Sequence, residues 1–171
     1  MNMMEHIIDH SVMVSNVALC LARHLQRKFP GIDIRLISSS ALLHDITKTR
    51  SFDTGEVHSK TGGLLMEELG YPEVGNIIRQ HVVLDQISIE GPVLEQEIVN
   101  YSDKRVLHDQ VVSLERRLEY IQVRYGSDEK LRARIGQMVE ATLILEEKLF
   151  RNLPFRPSDL EGEVIPDIRK T

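Results

Sequence analysis

An all-α fold is what this sequence predicts, on three observations. Apolar residues recur at spacings of three and four through most of the chain, the period of one helical face. Nowhere does the alternation of a half-buried strand persist. The interruptions fall at residues that stop or start helices: Pro30-Gly31, Gly70-Tyr71-Pro72, Gly91-Pro92 and Gly126. About seven helices follow, forming a helical bundle with no internal repeat or low-complexity segment.

Residues 5–28 read as the first helix, with Ile7, Val14, Val17, Ala18, Leu21 and Leu25 on one stripe and His10 among them. A second helix over about 33–46 carries the apolar run LISSSALL and ends in His44-Asp45, with Lys48 three residues on. The polar stretch 47–56 (TKTRSFDTGE) reads as a loop. Helices then cover roughly 57–69, with His58, Leu65 and Leu69 near one face, and 73–83, where Val74, Ile77, Ile78 and His81 line one side; Pro72 suits the first turn of the latter. After a connection at 84–92, residues 93–109 form a helix in which Val99, Asp103 and Val106 share a stripe. Two more helices follow, 112–125 and, capped by Ser127-Asp128, a long one to about 152. Residues 153–171, with Pro154, Pro157 and Pro166, read as an irregular or mobile arm.

The chain has 171 residues, enough for one domain with a real core, taken as 1–152. Its 21 Lys+Arg against 26 Asp+Glu give a formal charge of −5, and no basic tract stands out, which argues against duplex nucleic acid as a partner. Small phosphorylated ligands need only local positive charge and stay open. The single cysteine, Cys20, sits among apolar neighbours and reads as a core residue. Without a disulfide framework, a signal-peptide-like start or an apolar run near the ~20 residues of a membrane span, the expected setting is the cytoplasm. Gly62-Gly63 lacks the preceding strand and following GK[ST] of a phosphate loop. No Ser/His/Asp nucleophile arrangement is evident, and Tyr101, Tyr120 and Tyr125 are not spaced as a stacking platform.

Separate helices therefore each place a histidine or aspartate on an otherwise apolar stripe: His10, His44 with Asp45, His58, His81 and Asp103. A lone buried histidine is commonly a satisfied core residue, but unpaired buried carboxylates are costly. A divalent metal, or two, would neutralise the acids and use the imidazoles. Nitrogen and oxygen donors without sulfur suit Fe, Mn, Zn, Co or Ni rather than a closed structural zinc site.

On these residues the sequence resembles the HD-domain metal-dependent phosphohydrolases. His10 in DHSVMV, His44-Asp45 in LLHDITK and Asp103 in YSDKRV match that superfamily's H…HD…D signature in order and wording, over about residues 5–110. His58 (HSKTG) and His81 (IIRQH) occupy the places of the extra histidines in its binuclear members, which include HD-GYP cyclic-dinucleotide phosphodiesterases and YqeK-type diadenosine tetraphosphate hydrolases. The resemblance implies one metal on His10, His44, Asp45 and Asp103, with Asp45 bridging to a second on His58 and His81. It implies hydrolysis of a phosphoester or phosphoanhydride bond of a small phosphorylated compound, a nucleotide or dinucleotide. Metal-activated hydroxide would attack, the pKa of bound water falling from 15.7 toward ~7.

Asp45 and Lys48 are then the catalytic candidates, Lys48 gripping a substrate phosphate; Lys104 and Arg105 are read as surface or salt-bridging residues, and His6, His24 and His108 as structural or exposed, with His6 one turn from His10 and within reach of a supporting role. Two departures stand out. Thr47 takes the place of the glycine in the commoner HDIGK wording, and no GYP-type motif is present. The alternatives carried forward are a di-iron oxygenase of the same fold and a non-catalytic, metal-stabilised binding module. A homo-oligomer is compatible with the sequence, and specificity is expected from 47–56, 84–92 and the helices after 110.

Overall fold

A computed structural model describes residues 3–164. Within them the regular structure is helical apart from one short hairpin, in the order α1 (Glu5–Leu25), α2 (Ile34–Leu43), α3 (Lys48–Thr54), α4 (His58–Glu68), α5 (Pro72–Gln80), α6 (Glu95–Lys104), a two-stranded hairpin of β1 (Val106–Leu107) and β2 (Gln110–Val111), α7 (Leu114–Tyr125), α8 (Glu129–Phe150), a 3₁₀ turn (Pro157–Asp159) and α9 (Leu160–Glu163).

α1 is the central rod. Val14, Val17, Leu21 and Leu25 are fully buried, and the small residues Ser11, Ser15, Ala18 and Ala22 are buried between them. Small side chains let neighbours approach on more than one side, and α2 and α6 both pack against α1. The Asp33 carboxylate caps α2 by accepting from the backbone of Arg35 (2.8 Å) and Leu36 (3.0 Å). α2 then runs only to Leu43, so that His44 and Asp45 leave the helix end into the interior.

α4 and α5 pack closely because glycines face each other. A Cβ on Gly75 would lie 2.6 Å from the Gly63 carbonyl oxygen. Gly70, at φ +87°, makes the reversal between them, and Pro72 opens α5. α6 is buried from Glu97 through Lys104. The Lys148 ammonium reaches both Glu97 carboxylate oxygens, at 2.7 and 2.8 Å, and fixes α8 against α6.

Three expectations from the sequence change. The loop at 47–56 contains α3, a helix with no buried residue and hence no apolar stripe to announce it. The helix read to 109 ends at Lys104, and the hairpin follows, with Leu107 paired to Gln110 and His108 at φ +58° in the two-residue turn. The arm at 153–171 is ordered where it is described: Leu160 is fully buried, Val164 is buried, and Arg105 donates to the Pro157 carbonyl (2.8 Å). Residues 165–171 lie outside the described range. Among the described residues no helix is long and apolar enough to cross a membrane.

Candidate metal centre

Each chemistry-bearing residue sits at a helix end or on a buried helix face. His10 lies on the buried face of α1, His44 and Asp45 follow α2, His58 begins α4, His81 follows α5, and Asp103 lies near the end of α6. The fold brings all six together. His10 Nε2 is 3.1 Å from Asp103 Oδ1, and His44 Nε2 is 3.4 Å from Asp45 Oδ2 and 3.7 Å from Asp103 Oδ1. Asp45 Oδ1 is 3.2 Å from His58 Nε2 and 3.5 Å from His81 Nε2. Two triads, His10/His44/Asp45 and Asp45/His58/His81, each present donor atoms within 4.8 Å of one another, and Asp45 belongs to both.

The backbone fixes which imidazole nitrogens face inward. Nδ1 of His10 donates to the His108 carbonyl (2.9 Å), Nδ1 of His44 to Ala41 (2.7 Å) and Nδ1 of His81 to Ile78 (2.7 Å). A neutral ring that donates through Nδ1 holds a lone pair on Nε2. Three Nε2 lone pairs therefore point at two carboxylates, an arrangement of acceptors facing acceptors. His44 Nε2 and Asp45 Oδ1 are buried without a hydrogen-bond partner, a costly condition for polar atoms. A cation among them removes the conflict, so the donor set fits one or two divalent metals.

Electrostatics keeps both carboxylates ionised and His81 neutral. Burial raises the Asp45 carboxyl, but His44 foremost, with His58 and His81, holds its pKa well below the usual carboxylate range. Asp103 is likewise held far down against burial, by Lys104 first and then His10 and Arg117. Burial pulls His81 to about 4, leaving it neutral and able to ligate. Burial also pulls on His44, but the carboxylates of Asp45 and Asp103 outweigh it and raise its pKa. Burial lowers Lys48, and Asp45, foremost, reverses this and holds its pKa above the ordinary value.

Lys48 Nζ lies 2.7 Å from Asp45 Oδ2 and remains partly exposed. Of the two readings for Lys104 and Arg105, the salt-bridging one holds, to Asp103 and Glu146, and neither residue is at the surface. The Lys104 ammonium is buried, donating to the His81 carbonyl (2.9 Å) and to Asp103 Oδ2 (2.7 Å). Arg105 is buried as well, donating to Val112, Tyr101 and Pro157 and so serving the fold. His24 donates to the Cys20 carbonyl and packs on Phe155, apart from the cluster. His6 borders the cluster beside His10, and the His108 carbonyl orients the His10 ring.

Two clefts open onto the cluster, of about 230 and about 400 Å³. Both include Lys48, Phe52, Arg117 and Tyr125. The sequence reading missed Arg117. It occurs in LERRLEY, where charged neighbours hide which arginine of an amphipathic helix turns inward.

The family model for the HD domain matches residues 7–135, so the match runs through the hairpin and α7 into α8, past the motif-bearing stretch that ends near 110. The chain is also similar to the uncharacterized protein MJ0778 of Methanocaldococcus jannaschii, at 25% identity over 137 residues covering 72% of this chain and 80% of that one. No solved structure matches the chain. With an all-helical fold and histidines and aspartates gathered as that family gathers them, this chain belongs to the HD domain family and thereby to the metal-dependent phosphohydrolase superfamily.

Proposed function

We propose that the protein hydrolyses a phosphoester or phosphoanhydride bond of a small phosphorylated compound, a nucleotide or dinucleotide, at a binuclear metal centre. The observation that carries this reading is Asp45: its buried carboxylate is shared by two triads, and one of its oxygens has no hydrogen-bond donor. His10, His44, Asp45 and Asp103 would hold one cation, and Asp45, His58 and His81 the other. Bound there, divalent metal supplies Lewis-acid stabilisation of phosphoryl oxygens and acidifies water.

The chain's own groups prepare that chemistry. Backbone carbonyls of His108, Ala41 and Ile78 lock three rings with Nε2 inward. Lys104 keeps Asp103 ionised from a buried position. Lys48 lies along one side of Asp45 and, being partly exposed toward both clefts, is placed to take a substrate phosphate.

Elemental analysis of chelator-stripped and reloaded protein, followed by a phosphate- and nucleotide-release screen, tests the reading. Phosphate release is expected from loaded but not stripped protein. Asp45→Ala should lose both metals, and His58→Ala about half of the bound metal. Unchanged stoichiometry in His58→Ala removes the second site. Turnover that consumes O₂ without releasing phosphate would replace the proposal with an oxygenase, and retained metal with no hydrolysis of any phosphoester would replace it with a binding module.

A further inference from the structure

Resting on that reading, we infer that Arg117 of α7 is the second phosphate-gripping cation, lining with Lys48 the two clefts that open onto the His/Asp cluster. Four observations support it. The guanidinium side chain is 12% exposed, and its Nε is buried without a hydrogen-bond partner. Arg117 lines both clefts that open onto the histidines and aspartates. Its NH2 stands 3.7 Å from Asp103 Oδ1, outside hydrogen-bond distance, while Lys104 already holds the other oxygen of that carboxylate at 2.7 Å. Finally, the guanidinium carbon lies over the Tyr120 ring, 5.8 Å from its centroid, within cation–π range.

Of the other cations near the cluster, Arg124 and Arg134 on the cleft walls are exposed, and the partly or fully buried ones are more fully engaged. Lys104 donates to the His81 carbonyl and Asp103, Arg105 to three oxygens in the fold, and Lys48 to Asp45. Arg117 keeps donors in hand. A guanidinium has five N–H groups in a fork matched to two oxygens of a phosphate, and an unmatched buried donor is costly until such an anion arrives. The position also assigns a role to the helices after 110. α7 lines both clefts and adds a guanidinium to the lysines that the H…HD…D segments supply.

Titration of metal-loaded, full-length protein with inorganic phosphate tests the inference, with bound metal quantified in the same samples. Arg117→Gln should weaken phosphate binding about 10- to 100-fold while metal content stays at the wild-type level. Arg117→Lys should recover part of the loss, since it restores the charge but not the fork. Wild-type phosphate affinity in Arg117→Gln overturns the inference and leaves the hydrolase reading standing. Loss of metal in both Arg117→Gln and Arg117→Lys also overturns it, because Arg117 would then be a support for Asp103. Loaded wild-type protein that neither binds phosphate nor releases it from any substrate would sink both, with the hydrolase reading failing first.

Discussion

Thr47 occupies the position where the commoner HD wording has glycine, and its backbone shows why glycine is dispensable here. Its φ is −101°, an ordinary value for a residue with a side chain. The hydroxyl donates to the His58 carbonyl at 2.8 Å, so the second residue after the His-Asp pair ties the first turn of α4 to the turn that follows α2. Thr47→Val keeps the shape and deletes the donor. Unfolding free energy should fall by about 1 kcal/mol, and affinity for the second metal by about tenfold, as when a ligand's supporting partner is removed. The first metal should be unaffected. Calorimetric titration with metal, read beside thermal melting, separates these effects; equal losses at both sites would show that Thr47 acts on the fold at large. At this scale the convergence of the histidines and aspartates was legible. His10, His44, Asp45, His58, His81 and Asp103 were each marked by a polar ligand type on an apolar stripe, and all six converge. The inward turn of Arg117 and the burial of Lys104 were not legible, because a charged residue among charged neighbours carries no periodic signal of burial.

Helix packing sets the distance between His58 and His81, the proposed ligands of the second metal. His58 opens α4 and His81 closes α5, and their Nε2 atoms lie 3.2 Å apart because the glycines let these helices touch. Two effects compete in Gly75→Ala. Alanine improves helix propensity by about 1 kcal/mol. Its Cβ, however, would meet the Gly63 carbonyl at 2.6 Å, a backbone atom that no side-chain rotation can move, and such overpacking costs about 1–3 kcal/mol. The clash wins. A net loss of about 1 kcal/mol is expected, and α4 should shift from α5, weakening the second metal site alone. Gly136→Ala is the control, since its Cβ meets nothing within 4 Å in α8, and it should gain up to about 1 kcal/mol. If both variants are stabilised and both retain full metal, the helix contact does not govern the site. The long helices were legible through their stripes, whereas α3 and the β1–β2 hairpin were not: α3 buries no residue, and two-residue strands are too short to alternate.

Across the whole molecule, α6 links the His/Asp cluster to the C-terminal helices. It carries Asp103 toward the cluster, and from Glu97 it meets α8 through an ion pair in which both side chains are 3% exposed. Sequence could not pair residues 51 positions apart, and neither Glu97 nor Lys148 breaks the amphipathic pattern visibly. Such a pair is weak evidence of net stabilisation, because desolvation offsets most of the attraction, but removing one partner strands the other. Lys148→Met leaves Glu97 buried with one remaining donor, the Leu94 backbone N–H at 2.9 Å. It should cost about 3–5 kcal/mol. Adding Glu97→Leu should restore most of that loss, since the two apolar chains fill the space without an orphaned charge. The urea midpoints of the two variants measure this directly. If the double variant is no more stable than Lys148→Met, the cost lies in packing rather than in the stranded carboxylate. If instead Lys148→Met alone is neutral, α8 is held by its apolar contacts, Leu145 and Leu149 foremost, and the ion pair serves only to set its register on α6.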